Sequence, residues 1–252
     1  MADEDIIYGL HAVLAALSRE KTEVTRLWVD GKRKDERITH VLHAAQANSV
    51  KVETVTQREL DKLAPSARHQ GIVAQAKVLS AYTEYDLELL LANLTEPAFL
   101  LVLDGVQDPH NLGACLRSAD AAGVHAVIAP QDRAVSLTHV VRKVASGAAE
   151  AVPFVQVTNL ARTLKMLQQE GIWLIGAAGE AETSLYQADL QGPLALLLGG
   201  EGDGLRRLTR ERCDVLVHIP MAGTVESLNV SVATGVCLFE AMRQRNISPS
   251  SP

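Results

Sequence analysis

A chain of 252 residues, 47% of them hydrophobic and 21% charged, is long enough for one large α/β domain or two smaller ones and can bury a proper core. Its three cysteines, Cys115, Cys213 and Cys237, are widely spaced and form no CxxC pair, so neither a disulfide framework nor a zinc site is indicated and a reducing, cytoplasmic home is expected. The net charge of −6 argues against indiscriminate binding to polyanions, although residues 1–77 carry 12 Lys and Arg against 11 Asp and Glu while residues 78–252 carry 12 against 19.

The start, MADEDII, is acidic and has no basic flank ahead of an apolar stretch, and no apolar run approaches the roughly 18 residues that cross a bilayer. Neither an export signal nor a membrane span is expected. Apolar periodicity then predicts a helix over 7–17, a strand over 24–30, a helix over 36–47, a strand over 50–55, a short helix over 57–63 and a strand over 72–77. DGKRKDER (30–37) clusters basic side chains in a turn, which reads as a solvated loop or as a contact for RNA. These elements make a small α/β domain of residues 1–77. Residues 78–97, Leu-rich and bounded by Thr83 and Pro97, suit a linker. From 98 to 252 strands are expected at 99–104, 124–129, 172–178, 194–199 and 215–219, alternating with helices, as in a mostly parallel sheet covered on both faces.

In such a sheet ligands bind beyond the carboxyl ends of the strands, and three loops there are chemically unusual. The first is LDGVQDPHNLGACLRSADAAGV (103–124), where a helix begins near Asn111 and closes at Gly123. Asn111 reads equally as a helix cap. Arg117 lies about 140° around the helix from the apolar stripe of Leu112, Leu116 and Ala119. The second is ALLLGGEGDGL (195–205), a buried strand running into glycines around Glu201, where backbone can approach a ligand closely. It has neither the Lys-Ser/Thr ending of a nucleotide-phosphate loop nor GxGxxG spacing, so NTP or NAD binding carries low weight. The third is IPMAGTVESLNVSVATGV (219–236), a strand that enters a helix whose first turns hold Ser227, Asn229 and Ser231. Ser227 reads in isolation as an N-cap. It lacks a GxSxG elbow for hydrolase chemistry, and His110 and His139 lack metal-ligand spacing, so no metal is expected.

In this order, DPHNLGACLRSADAAG, LLLGGEGDGL and IPMAGTVESLNVSVATGV resemble the three motifs of the SpoU (TrmH) family of RNA ribose 2'-O-methyltransferases. IYGLHAVLAAL and RHQGIVAQ (68–75) resemble the substrate-binding domain of bacterial members that methylate a guanosine of 23S rRNA, so the likeness runs from about 5 to 246. The resemblance implies a SPOUT-type catalytic α/β domain with a C-terminal trefoil knot, preceded by an L30e-like α/β domain that holds RNA. It implies S-adenosyl-L-methionine as cofactor, a homodimer whose active site draws on both subunits, and 23S rRNA, in the peptidyl-transferase P loop, as substrate. By motif position it places cofactor contacts at Gly199, Ile219 and Leu228, with Gly200, Met221 and Ala233 nearby. Asn111, Arg117, Glu201, Ser227 and Asn229 take the family's functional polar positions. Arg33, Lys34 and Arg68 are candidate RNA contacts; Glu226 is assigned nothing.

Methyl transfer from a sulfonium is an in-line displacement that needs no metal, but the 2'-hydroxyl must be aligned and must lose its proton. A guanidinium is always protonated and makes a poor base, so Arg117 is expected to donate hydrogen bonds to the oxygen or to grip a neighbouring phosphate. Rival readings are the same chemistry on a tRNA ribose, a non-catalytic RNA-binding protein of this fold, and a small-molecule hydrolase using Ser227.

Overall fold

The computed structural model describes residues 4–18, 22–64, 68–78, 82–202 and 204–246. The chain divides into two compact units, Met1–Ala81 together with Ser146–Ala151, and Tyr82–Ala145 together with Val152–Pro252.

The first unit runs β1 (Glu4–Tyr8), α1 (Leu10–Leu17), β2 (Thr22–Asp30), α2 (Glu36–Ala47), β3 (Lys51–Val55), α3 (Gln57–Leu63) and β4 (Ile72–Val78). Its sheet has the order β1-β4-β2-β3; β4 is antiparallel to both neighbours and β2 is parallel to β3. Residues 4–8 are a strand where the sequence predicts the start of a helix. Gly9, at φ 94°, turns the chain there, and β1 pairs with β4 before α1 begins. Helix α2 starts where the Asp35 side chain accepts from the Ile38 amide, and α3 starts at a reciprocal Thr56–Glu59 box. Val13, Leu27, Ile38, Val41 and Ile72 close a core between sheet and helices.

The second unit begins with α4 (Glu84–Ala92), which falls in the stretch expected to be a linker. Leu87 of this helix is fully buried in the second unit's core, and Tyr82 bridges to Val155. Next come β5 (Phe99–Asp104), α5 (Pro109–Ala121), β6 (Ala126–Pro130), α6 (His139–Ala145) and the short α7 (Ala148–Ala151), which groups with the first unit. The chain continues through β7 (Phe154–Val157), α8 (Leu160–Gln169), β8 (Trp173–Ala177), β9 (Thr183–Ser184), β10 (Leu194–Gly199), α9 (Arg207–Arg212), β11 (Val215–His218) and α10 (Val230–Asn246). The sheet order is β7-β6-β5-β10-β8-β11-β9 and every pairing is parallel.

A parallel sheet is buried on both faces, so its strands read as continuous apolar runs. FLLVLD in β5 and AVIAP in β6 are buried at every position, and LALLLG in β10 at all but its last. Strands β7 and β9 escape the sequence reading because four residues and two residues carry too little pattern. With β10 inserted between β5 and β8, and β11 beside β8, the carboxyl ends of four strands lie side by side, and three of the loops that leave them are the unusual ones. Among the described residues, no helix is long and apolar enough to cross a membrane.

Candidate active site

A cavity of about 640 Å³ opens at the ends of β8, β10 and β11. Its walls include Gly199, Gly200, Ile219, Met221, Leu228 and Ala233, together with Glu201, Ser227 and Asn229. The glycines are required by close backbone approach. A Cβ on Gly199 would overlap the backbone of Gly204, and one on Gly200 would overlap the carbonyl of Gly105. The Gly200 amide donates to the Asp104 carbonyl (3.0 Å), seating the glycine loop on the end of β5. One wall of the cavity is therefore bare main chain.

At its edge three distant side chains join in one hydrogen-bonded chain. Asn229 donates from Nδ2 to Asn111 Oδ1 (3.0 Å), Asn111 donates from Nδ2 to Glu201 Oε1, and Asn229 Oδ1 accepts from both the amide (2.9 Å) and the hydroxyl (2.6 Å) of Ser231. Each residue comes from the loop after a different strand. Asn111 does not cap α5: Asp108 does, accepting from the His110 amide, and Asn111 sits inside the first turn, buried, with its amide turned to the network. Nor does Ser227 cap α10; Asn229 occupies that position and the exposed Ser227 faces the cavity.

Arg117 does not join this chain of hydrogen bonds. It is exposed on α5, is not among the residues lining the cavity, and makes no hydrogen bond or ion pair with any described residue. In the first unit, Arg33 donates from Nε to Asp35 Oδ2 (2.7 Å) and from a terminal nitrogen to the Gln70 carbonyl, which ties the 31–35 loop to the 68–71 loop. Its guanidinium holds down that Asp35 carboxyl below the usual range. Lys34 and Arg68 are exposed on the same pair of loops. His218 is not among the residues that line the cavity, although its neighbours Val217 and Ile219 are. Burial pushes the Cys115 thiol up to about 11 and that of Cys237 to about 12, which leaves both uncharged at neutral pH. No group of three His, Cys, Asp or Glu among the described residues converges as a metal would require.

The cavity also has a wall the sequence reading missed: Ala177, Ala178, Gly179 and Glu180 after β8, and Arg210 of α9, which pairs with Glu180. The only available signal was that β8 is a parallel strand whose end must open on the same side as the others. Glu226, to which no role was assigned, lines the cavity as well, and Ser231 joins the polar chain.

Residues 98–239 match the model of the SpoU rRNA Methylase family, and residues 6–81 match that for RNA 2'-O ribose methyltransferase substrate binding. The chain is 57% identical over 245 residues to the 23S rRNA (guanosine-2'-O-)-methyltransferase RlmB of Shewanella oneidensis, covering 97% of this chain and 99% of that one. It is 55% identical over 250 residues to RlmB of Ralstonia nicotianae, covering 99% and 100%. Among solved structures, the SpoU methyltransferase AviRb from Streptomyces viridochromogenes in complex with AdoMet resembles it with a TM-score of 0.77 at 25% identity, over 96% of this chain and 90% of that one. An RNA 2'-O ribose methyltransferase follows with a TM-score of 0.74 at 29% identity, over 97% and 90%. A glycine-walled cavity at the ends of parallel strands, a polar chain assembled from three separated motifs, and this extent of identity together make the chain a member of the SpoU rRNA methylase family.

Proposed function

We propose that the protein transfers a methyl group from S-adenosyl-L-methionine to the ribose 2'-hydroxyl of a guanosine in 23S rRNA, in the peptidyl-transferase P loop, as a step of ribosome biogenesis in the cytoplasm. The observation that carries the reading is the convergence of Asn111, Glu201 and Asn229 at the edge of a cavity walled by Gly199 and Gly200. The choice of 23S rRNA is supported by the full-length likeness to proteins with that activity.

The cavity fits the cofactor in size and kind. About 640 Å³ lies within the range of small-molecule sites, and the wall at Gly199 and Gly200 carries no side chain, so a cofactor would lie directly against the main chain there. Gly199, Gly200, Ile219, Met221, Leu228 and Ala233 would hold it; when bound it supplies an electrophilic methyl carbon. The protein's own residues handle the hydroxyl. Glu201, Asn111, Asn229 and Ser231 fix one another's rotamers, so that a ribose entering at their edge meets a preorganised polar surface that needs no rearrangement as charge develops. Arg117, permanently protonated, donates to the oxygen as it loses its proton, or to the adjacent phosphate, which then serves as the proton's acceptor.

The reading includes a homodimer in which the partner copy brings its own Arg117 to the site. Its support is that Arg117 is exposed and is not among the residues that line its own chain's cavity, and that α10 exposes Val232 and Phe239, seven residues apart on one face. It also includes the C-terminal trefoil knot, which the likeness to the family implies. The first unit would hold the RNA through exposed Lys34 and Arg68; Arg33 shapes the two loops that carry them.

Label transfer from S-adenosyl-L-methionine to an unmodified transcript of 23S rRNA domain V and to bulk tRNA tests this. Label on one domain V guanosine ribose is expected; label on tRNA alone would keep the chemistry and overturn the substrate.

A further inference from the structure

Beyond the residues that line the cavity, one buried carboxylate controls the loop that forms its glycine wall. Asp104 ends β5, and its side chain is fully buried. A buried carboxylate is costly unless its oxygens are satisfied, and here all its partners come from one residue. Oδ2 accepts from the Arg206 backbone amide (3.0 Å), and Oδ1 accepts from Arg206 Nε (2.5 Å) and pairs with the guanidinium's terminal nitrogen. The main-chain carbonyl of Asp104 accepts from the Gly200 amide (3.0 Å). Asp104 thus fastens both ends of the loop between residues 200 and 206.

That loop contains Gly200, Gly202 at φ 94° and Gly204 at φ 64°, residues with the most conformational freedom to lose. Left unfastened it would sample many shapes, and Gly200, Glu201, Gly202, Gly204 and Leu205 all line the cavity. Neither Asp104 nor Arg206 does.

We propose that Asp104 and Arg206 form a clasp that sets the protein's affinity for its cofactor by holding the glycine loop in its binding shape. The proposal rests on the reading of this cavity as the cofactor site. Both are positioning residues: they act on the cofactor through the loop and touch neither it nor the RNA. The clasp restricts the free loop, so the cost of ordering is met before binding and appears in affinity. Of the residues that handle the hydroxyl, Asn111, Asn229 and Arg117 lie outside the loop, and Glu201, inside it, is also held by Asn111, so chemistry at saturating cofactor changes less than affinity does.

Calorimetric titration with S-adenosyl-L-methionine and steady-state kinetics on domain V transcript, for wild type, Asp104→Asn, Arg206→Met and the double variant, test the clasp. Each single variant is expected to bind the cofactor about 10- to 100-fold more weakly, the size of a lost hydrogen bond to a charged group. KM for the cofactor should rise in step, while kcat and KM for RNA stay within about threefold by the same reasoning. The double variant should be no weaker than the worse single, because the two residues act as one unit. A merely structural role would lower the melting temperature and kcat together and leave cofactor affinity of the folded fraction unchanged, which overturns the clasp. Should a single variant fail to fold, the double variant decides, since removing both charges leaves no buried carboxylate without its cation; wild-type affinity in that variant overturns the proposal. Failure of the wild type itself to bind the cofactor would instead sink the reading of the cavity, and the clasp with it.

Discussion

Asn111 shows how a residue with an ordinary explanation in sequence acquires a different one in space. As the apparent first residue of a helix it reads as a cap, but Asp108 caps α5 and Asn111 spends its amide between Glu201 and Asn229, about 90 and 118 residues away. Removing it takes the donor from Glu201 Oε1 and the acceptor from Asn229 Nδ2. Asn111→Ala is expected to cost about 1–3 kcal/mol in stability, and to reduce turnover more than cofactor binding, as thermal melting and paired kinetic and calorimetric measurements would register. Arg117 gives a sharper test. Arg117→Lys keeps the charge but not the planar fork, and is expected to lose about 100-fold or more in kcat with unchanged cofactor affinity; full activity with lysine would reduce the residue to simple charge stabilisation. The dense glycines and hydroxyls were legible because close backbone approach demands small residues. The partners of Asn111, the clasp at Asp104 and the wall after β8 were not, because hydrogen bonds between residues a hundred positions apart leave no periodic trace in one sequence.

At the level of elements, the long parallel strands were readable from their unbroken apolar runs, and α2 and α3 from periodicity. Ile7 and Tyr8, the end of β1, were read as helix because they run into the mostly apolar IYGLHAVLAAL; the left-handed Gly9 that separates strand from helix is visible only in the backbone. Two elements offer direct tests. Gly200→Ala drives a methyl into the Gly105 carbonyl, so the loop must shift off the end of β5; loss of measurable cofactor binding in calorimetry is the expected result. On α10, the Arg243 guanidinium beside Glu240 holds that carboxyl at about 2, well below its usual value. Because the folded value is depressed, the stabilisation is complete above pH about 4.5 and is lost as pH falls toward 2. Melting temperature across that window should fall less steeply in Glu240→Gln than in wild type. Parallel curves would mean that the ion pair, which also orients Gln244 against Leu190 and Ala188, contributes nothing to acid stability.

For the molecule as a whole, the division of labour follows from its two units. One offers a small mixed sheet with exposed basic side chains on paired loops; the other offers a parallel sheet whose strand ends enclose a cavity. Both units serve one proposed reaction, methylation of a guanosine 2'-oxygen in 23S rRNA through the site built on Asn111, Glu201, Asn229 and Arg117. Mass-spectrometric mapping of ribose methylation in 23S rRNA from cells lacking this protein tests it most directly. One guanosine of domain V should be unmethylated, with methylation restored by the wild-type chain and not by Arg117→Ala. An unchanged methylation pattern, or restoration by the variant, would contradict the account.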